Sequence, residues 1–191
     1  MGVEIGLRPD KKEKVREISK YFDYDFIIGS SHVVCMKNIS HDFSFYEGLT
    51  KDEAYEKYLY EVYENVKIHH ESFDVYGHLD YVIRYGGFAD TKMSLSDIID
   101  EILSLLIRQD KGIEINTAFM RMGNSDPHPN YDIIKRYREL GGKIITLGSD
   151  AHRPEHLAFG FSEAAEKLLS IGFKEYAVYT KRKPEFFGLQ R

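Results

Sequence analysis

Ile144-Ile145-Thr146-Leu147-Gly148-Ser149-Asp150-Ala151-His152-Arg153-Pro154 is the stretch on which the fold class turns. An apolar and β-branched run that passes directly into glycine, serine and aspartate reads as a buried strand ending in a turn. Asp150 and His152 stand two apart just beyond the strand's carboxyl end, where α/β proteins gather their functional groups. There they can offer an oxygen and a nitrogen to a divalent ion. Surface loops favour such residues anyway, so the buried strand in front of them is what raises the metal reading.

The arrangement recurs upstream. Phe26-Ile27-Ile28 runs into Gly29-Ser30-Ser31-His32, and Gly77-His78-Leu79-Asp80 closes the next apolar run, with Asp80 available to orient a histidine. A lone histidine is more often structural than a ligand; two at successive strand ends weaken that reading. Gly2-Val3-Glu4-Ile5-Gly6 places a carboxylate in an apolar strand, where an unpaired charge is costly. A metal ion or a buried arginine would compensate it. Glu114 and Asn116 alternate with Ile113 and Ile115 and so share one face, which suggests a barrel interior or a ligand cleft. Arg121 and Arg153 lie just past strand ends; guanidinium groups suit bidentate phosphate binding, and surface ion pairing is the plain alternative. His69 and His70 end a helix, where positive charge is favourable, and carry no assigned chemistry. His41, His128 and His156 can reach a site from loops, but a structural role is the simpler reading.

Outward from these motifs, strands are expected at residues 3–7, 25–30, 75–79, 113–117, 143–147 and 176–179. Helical periodicity fills the gaps. Residues 11–22 place Val15, Ile18 and Phe22 on one face. Thr50 followed by Glu53 matches a capping box, and the helix it starts reaches about Ile68, with Tyr55, Tyr58 and Tyr63 packing and turning their hydroxyls to water. Ser94 or Ser96 can cap a helix through Ile107. Pro129 or Asn130 can start another that stops at Gly141 and Gly142, and a last one covers residues 163–170. The stretch between Cys35 and Thr50 reads as a long loop. The alternation predicts an α/β domain with a mostly parallel sheet, one domain over residues 1–191.

Composition narrows the function classes. The 191 residues carry 26 Lys plus Arg against 31 Asp plus Glu, a net charge of −5, which argues against a general nucleic-acid binder. The longest stretch free of charged side chains, residues 26–36, is far short of the roughly 20 apolar residues a membrane span needs. A single cysteine, Cys35, cannot form an internal disulfide, and the first residues lack a secretory apolar core. A soluble, cytoplasmic protein is expected.

Taken in order, Gly-Val-Glu-Ile-Gly, Gly-Ser-Ser-His, Gly-His-Leu-Asp, Glu-Ile-Asn-Thr and Gly-Ser-Asp-Ala-His-Arg-Pro resemble the polymerase and histidinol phosphatase (PHP) family, in its histidinol-phosphate phosphatase branch. The resemblance covers nearly the whole chain. It implies a distorted β/α barrel with up to three divalent ions (Zn, Mn or Fe) at the carboxyl ends of its strands. It implies that Glu4 bridges two ions, that His32 and His78 complete one site, that Asp150 serves the other, and that His152 serves a third. Glu4, Asp150 and His152 thereby become the expected catalytic residues. Arg121 and Arg153 resemble the arginines that hold the phosphate of a small phosphorylated substrate. The implied reaction is metal-dependent hydrolysis of a phosphate monoester, in histidine biosynthesis.

The family opens on a strand ending in His-X-His, whereas Glu4 is already the fourth residue here. The expectation is therefore an incomplete, truncated barrel that lacks its amino-terminal strands, holds fewer than three ions and has impaired activity. Exposed strand edges predict a homo-oligomer. A non-catalytic metal-binding remnant, a 3′-5′ exonuclease and a doubly wound α/β protein without metal are the competing readings. The acidic balance argues against the exonuclease.

Overall fold

The computed structural model describes residues 1–85 and 97–190. In chain order these form β1 (Gly2–Gly6), α1 (Lys12–Ser19), β2 (Phe26–Ser30), β3 (Val33–Val34), β4 (Lys37–Asn38), α2 (Lys51–His69), β5 (Val75–Tyr76) and α3 (Asp97–Arg108). They continue with β6 (Gly112–Asn116), α4 (Ala118–Arg121), α5 (Tyr131–Glu139), β7 (Ile145–Gly148), α6 (Phe161–Ile171), β8 (Glu175–Thr180) and β9 (Lys183–Gly188). A five-stranded sheet runs β1-β2-β5-β6-β7, and every pairing in it is parallel. Each step between neighbours crosses through a helix, as parallel strands require. The outer sides of β1 and β7 pair with no strand among the described residues, so the expected barrel is present as an unclosed parallel sheet.

The longest helix shows how the sequence sets its elements. Thr50 Oγ1 accepts from the Glu53 N–H at 3.3 Å while the Glu53 carboxylate accepts from the Thr50 N–H at 2.7 Å, the expected capping box. Ala54, Tyr58, Val62 and Val66, four residues apart, then form a buried ridge of α2, which packs against α3. Tyr58 is buried to its hydroxyl, so it does not turn to water as expected: its place in the middle of that ridge leaves no route to the surface. Phe22 also departs from expectation. Helix α1 stops at Ser19, and Phe22 is exposed beside Tyr21 and Tyr24 rather than on the buried face with Val15. The helix starts proposed at Ser94 and Ser96 lie outside the described residues.

The carboxyl terminus folds as an antiparallel hairpin, β8–β9, outside the main sheet. Its turn carries Lys181 and Arg182 at φ +51° and +64°, where Asn-Gly is the usual choice. Asp25 holds that turn: its carboxylate accepts the Lys181 N–H at 3.0 Å and its carbonyl the Arg182 N–H at 2.9 Å. Strand β9 has no signature in the sequence, because Pro184 and an exposed, unalternating pattern disguise it.

Candidate metal centre

Strands β1, β2 and β5 are adjacent and parallel, so their carboxyl ends open on one side of the sheet. Glu4 sits within β1, His32 two residues past β2, and His78 two residues past β5. Their side chains meet. Glu4 Oε1 lies 3.2 Å from His78 Nε2 and 3.6 Å from His32 Nε2, and the two Nε2 atoms are 3.2 Å apart. One donor atom from each residue lies within 4.8 Å of the other two. Two imidazole nitrogens and a carboxylate oxygen are a donor set suited to Zn, Mn or Fe. Both rings turn Nε2 inward toward the Glu4 carboxylate. The convergence thus fits a divalent ion. Glu4 is half-exposed and its partners are histidines, so the buried-arginine alternative for this carboxylate falls away.

The electrostatics follow from this crowding. Partial burial works against ionisation of Glu4, but the hydrogen bond and charge of His78 prevail and hold its carboxyl down at about 2. Burial, together with the neighbouring His78, pushes the His32 imidazole down to about 4. Burial works the same way on His78, but the hydrogen bond to Glu4 and the charge of Glu114 raise it above its ordinary value. Tyr81 closes one side of the cluster, with ring centroids 4.9 Å from His32 and 4.7 Å from His78.

The residues after β7 are placed more loosely. Asp150, at φ +45°, is close enough for its charge to act on both His32 and Glu114. Arg121 braces that turn, donating from Nη1 to the Ser149 carbonyl at 2.9 Å and from Nη2 to the Asp150 carbonyl at 3.4 Å. His152 is 81% exposed and its Nδ1 stays 3.5 Å from the Asp150 carboxylate. Arg153 is exposed. Among the described residues, only Glu4, His32 and His78 form a group of three convergent metal-type donors.

Two neighbours of the centre carry no metal-ligand or catalytic motif. In the sequence Glu114 stands out only as part of a polar face. Its carboxylate is buried between Gly77 and Gly148: a β-carbon on Gly77 would lie 3.1 Å from Oε2, and one on Gly148 would collide with Oε1. The glycines that end β7 and follow β5 therefore make room for this acid. Burial raises its pKa against the pull of His78, and Asn116 Nδ2 donates to it at 3.3 Å. Arg84 carried no motif at all. Its guanidinium lies 5.9 Å from the ring centroids of both Tyr81 and Tyr85, and its charge reaches His32.

Residues 1–118 match the PHP domain family. The chain belongs to the PHP family. Among curated PHP relatives, a probable histidinol-phosphatase of Clostridium acetobutylicum is 32% identical over 178 residues, covering 91% of this chain and 68% of that protein. A histidinol-phosphatase of Lactococcus lactis is 30% identical over 189 residues, covering 96% of this chain and 68% of its own length. This PHP chain thus spans about two thirds of the length of both. A crystal structure of histidinol phosphate phosphatase from Lactococcus lactis, complexed with zinc, L-histidinol and phosphate, superimposes with a TM-score of 0.84 at 30% identity, over 96% of this chain and 70% of that one.

Proposed function

We infer that this PHP chain is a metal-dependent phosphoesterase of the histidinol-phosphatase type, acting on a small phosphate monoester in histidine biosynthesis. The observation that carries it is the meeting of Glu4, His32 and His78 at the carboxyl ends of three adjacent parallel strands. These three would hold a divalent ion, with Asp150 and His152 as further ligands for any second or third ion. The chemistry such an ion supplies when bound is neutralisation of charge on the phosphoryl oxygens and a lowered pKa for water. Glu4, already ionised at neutral pH, contributes the negative charge that draws the ion in. Arg121, which donates to the Ser149 and Asp150 carbonyls, and Arg153 would hold the substrate phosphate, with Arg84 a further cation whose charge reaches His32. Tyr81, with both histidines against its ring, shields them from solvent on one side.

Purified chain supplied with Mn²⁺, Zn²⁺ or Fe²⁺ and L-histidinol phosphate is expected to release inorganic phosphate, and a chelator should stop it. An absence of phosphate release with every ion overturns the phosphatase reading. If one ion is nonetheless bound per chain, the non-catalytic remnant stands in its place, a reading favoured by the single three-donor group among the described residues.

No helix among the described residues is long and apolar enough to cross a membrane; a cytoplasmic location is part of the same reading. So is self-association, because β1 and β7 leave parallel edges unpaired among the described residues, and such edges pair readily. Light scattering of the purified chain should report a dimer or larger species; a monodisperse monomer contradicts this.

A further inference from the structure

The histidine most enclosed in the metal centre has no neighbouring residue to fix its second ring nitrogen. Metal-bound histidines ordinarily donate their second nitrogen to a carboxylate or carbonyl, which sets the ring's orientation. His78 Nδ1 is buried and meets no carboxylate or carbonyl of another residue. Its backbone is also in an unfavourable region, φ +28°, which persists only where the surroundings over-determine it. Something else must hold this residue.

That something is two residues further on. Asp80 is fully buried, and both of its carboxylate oxygens are engaged. Oδ1 accepts from His128 Nδ1 at 2.6 Å, and Oδ2 accepts from the Asn130 N–H at 2.9 Å. The residues it grips are themselves anchored. The His128 N–H donates to the Asn116 carbonyl at 2.9 Å and its carbonyl accepts the Asn116 N–H at 2.7 Å, at the end of β6. The His128 ring stacks on Phe119 with centroids 4.2 Å apart. On the other side, the Tyr81 N–H donates to the His78 carbonyl at 2.9 Å and the Ile83 N–H to the Asp80 carbonyl at 3.1 Å. The turn that bears His78 and Tyr81 is thereby tied to the end of β6 through one buried carboxylate.

Resting on the metal-dependent reading above, we propose that Asp80, clamped by His128 and Asn130, is a positioning residue that sets the His78 ring for metal binding. It touches neither the ion nor the substrate. His128, in this account, is the second half of the clamp rather than a ligand.

The test is a double-mutant cycle read by Zn²⁺ affinity, from competition with a chromophoric chelator. Asp80→Asn in the otherwise native chain is expected to weaken Zn²⁺ binding about 10- to 100-fold. In a His78→Ala background the same substitution should change affinity less than twofold, because its effect passes through a side chain no longer present. His128→Asn, which still presents an N–H donor, should recover most of the wild-type affinity, whereas His128→Phe, which keeps the stacking and deletes the donor, should not. If Asp80→Asn fails to fold, the His128 pair carries the same comparison. Equal losses in both backgrounds would make Asp80 a general stabiliser and overturn the proposal, as would wild-type affinity in Asp80→Asn. A His78→Ala chain that binds Zn²⁺ like the wild type would instead overturn the metal-centre reading on which the proposal rests.

Discussion

Replacing His78 with alanine is expected to weaken Zn²⁺ binding by about 10²- to 10³-fold and to remove phosphate release with it. Zinc held by four protein ligands is bound with roughly 10–16 kcal/mol, so one ligand accounts for about 2.5–4 kcal/mol. His78 is the member of the trio that touches both others, at 3.2 Å from Glu4 Oε1 and 3.2 Å from His32 Nε2, and it is the least exposed. Its removal leaves Glu4 without the partner that keeps its carboxyl low, and His32 without its nearest neighbour. His32→Ala should show the same loss at a more open position. The measurement is a chelator competition titration, with far-ultraviolet circular dichroism confirming that both variants remain folded. Folded His78→Ala with unchanged Zn²⁺ affinity would mean that the convergence of the trio is not a metal site.

The parts of this fold that could be read ahead of the structure are those in which one residue type has one local job. The apolar runs before Gly29, Gly77 and Gly148 became strands, and the Thr50 and Glu53 spacing became a capping box, because each is decided within a few residues. The meeting of Glu4, His32 and His78 was reached through the order of motifs, since spacing alone does not say which strands are neighbours. What escaped is decided by distant partners. Glu114 is a site neighbour only because Gly77 and Gly148 come from other strands to flank it. Asp80 reads in the sequence as a carboxylate fit to orient a histidine, but which histidine it meets, His128, is decided by the pairing of His128 with Asn116. Strand β9 exists because Tyr176 to Thr180 lie opposite it, not because residues 183–188 look like a strand.

The opposite end of the same sheet is organised for stability. Asp74 immediately precedes β5, and its buried carboxylate accepts the Ile27 N–H at 2.8 Å and the Arg182 Nε–H at 2.6 Å from the hairpin turn. Phe26 stacks on Tyr179 beside it, with centroids 5.0 Å apart. One carboxylate therefore joins β2, β5 and the β8–β9 hairpin. Asp74→Ala strands the buried Ile27 N–H and removes the partner of a partly exposed guanidinium, and an unsatisfied buried donor costs about 1–3 kcal/mol. Urea unfolding of the metal-free chain should show a loss of that size. Zn²⁺ affinity of the folded protein should stay within about twofold, because the partners of the Asp74 carboxylate, Ile27 and Arg182, are not those of the His78 ring, Glu4 and His32. His78→Ala should give the reverse pattern, with affinity lost and most stability kept. A loss below about 1 kcal/mol in Asp74→Ala would show that the hairpin is held by its aromatic packing instead. A fall in metal affinity would show that the two ends of β5 are coupled after all.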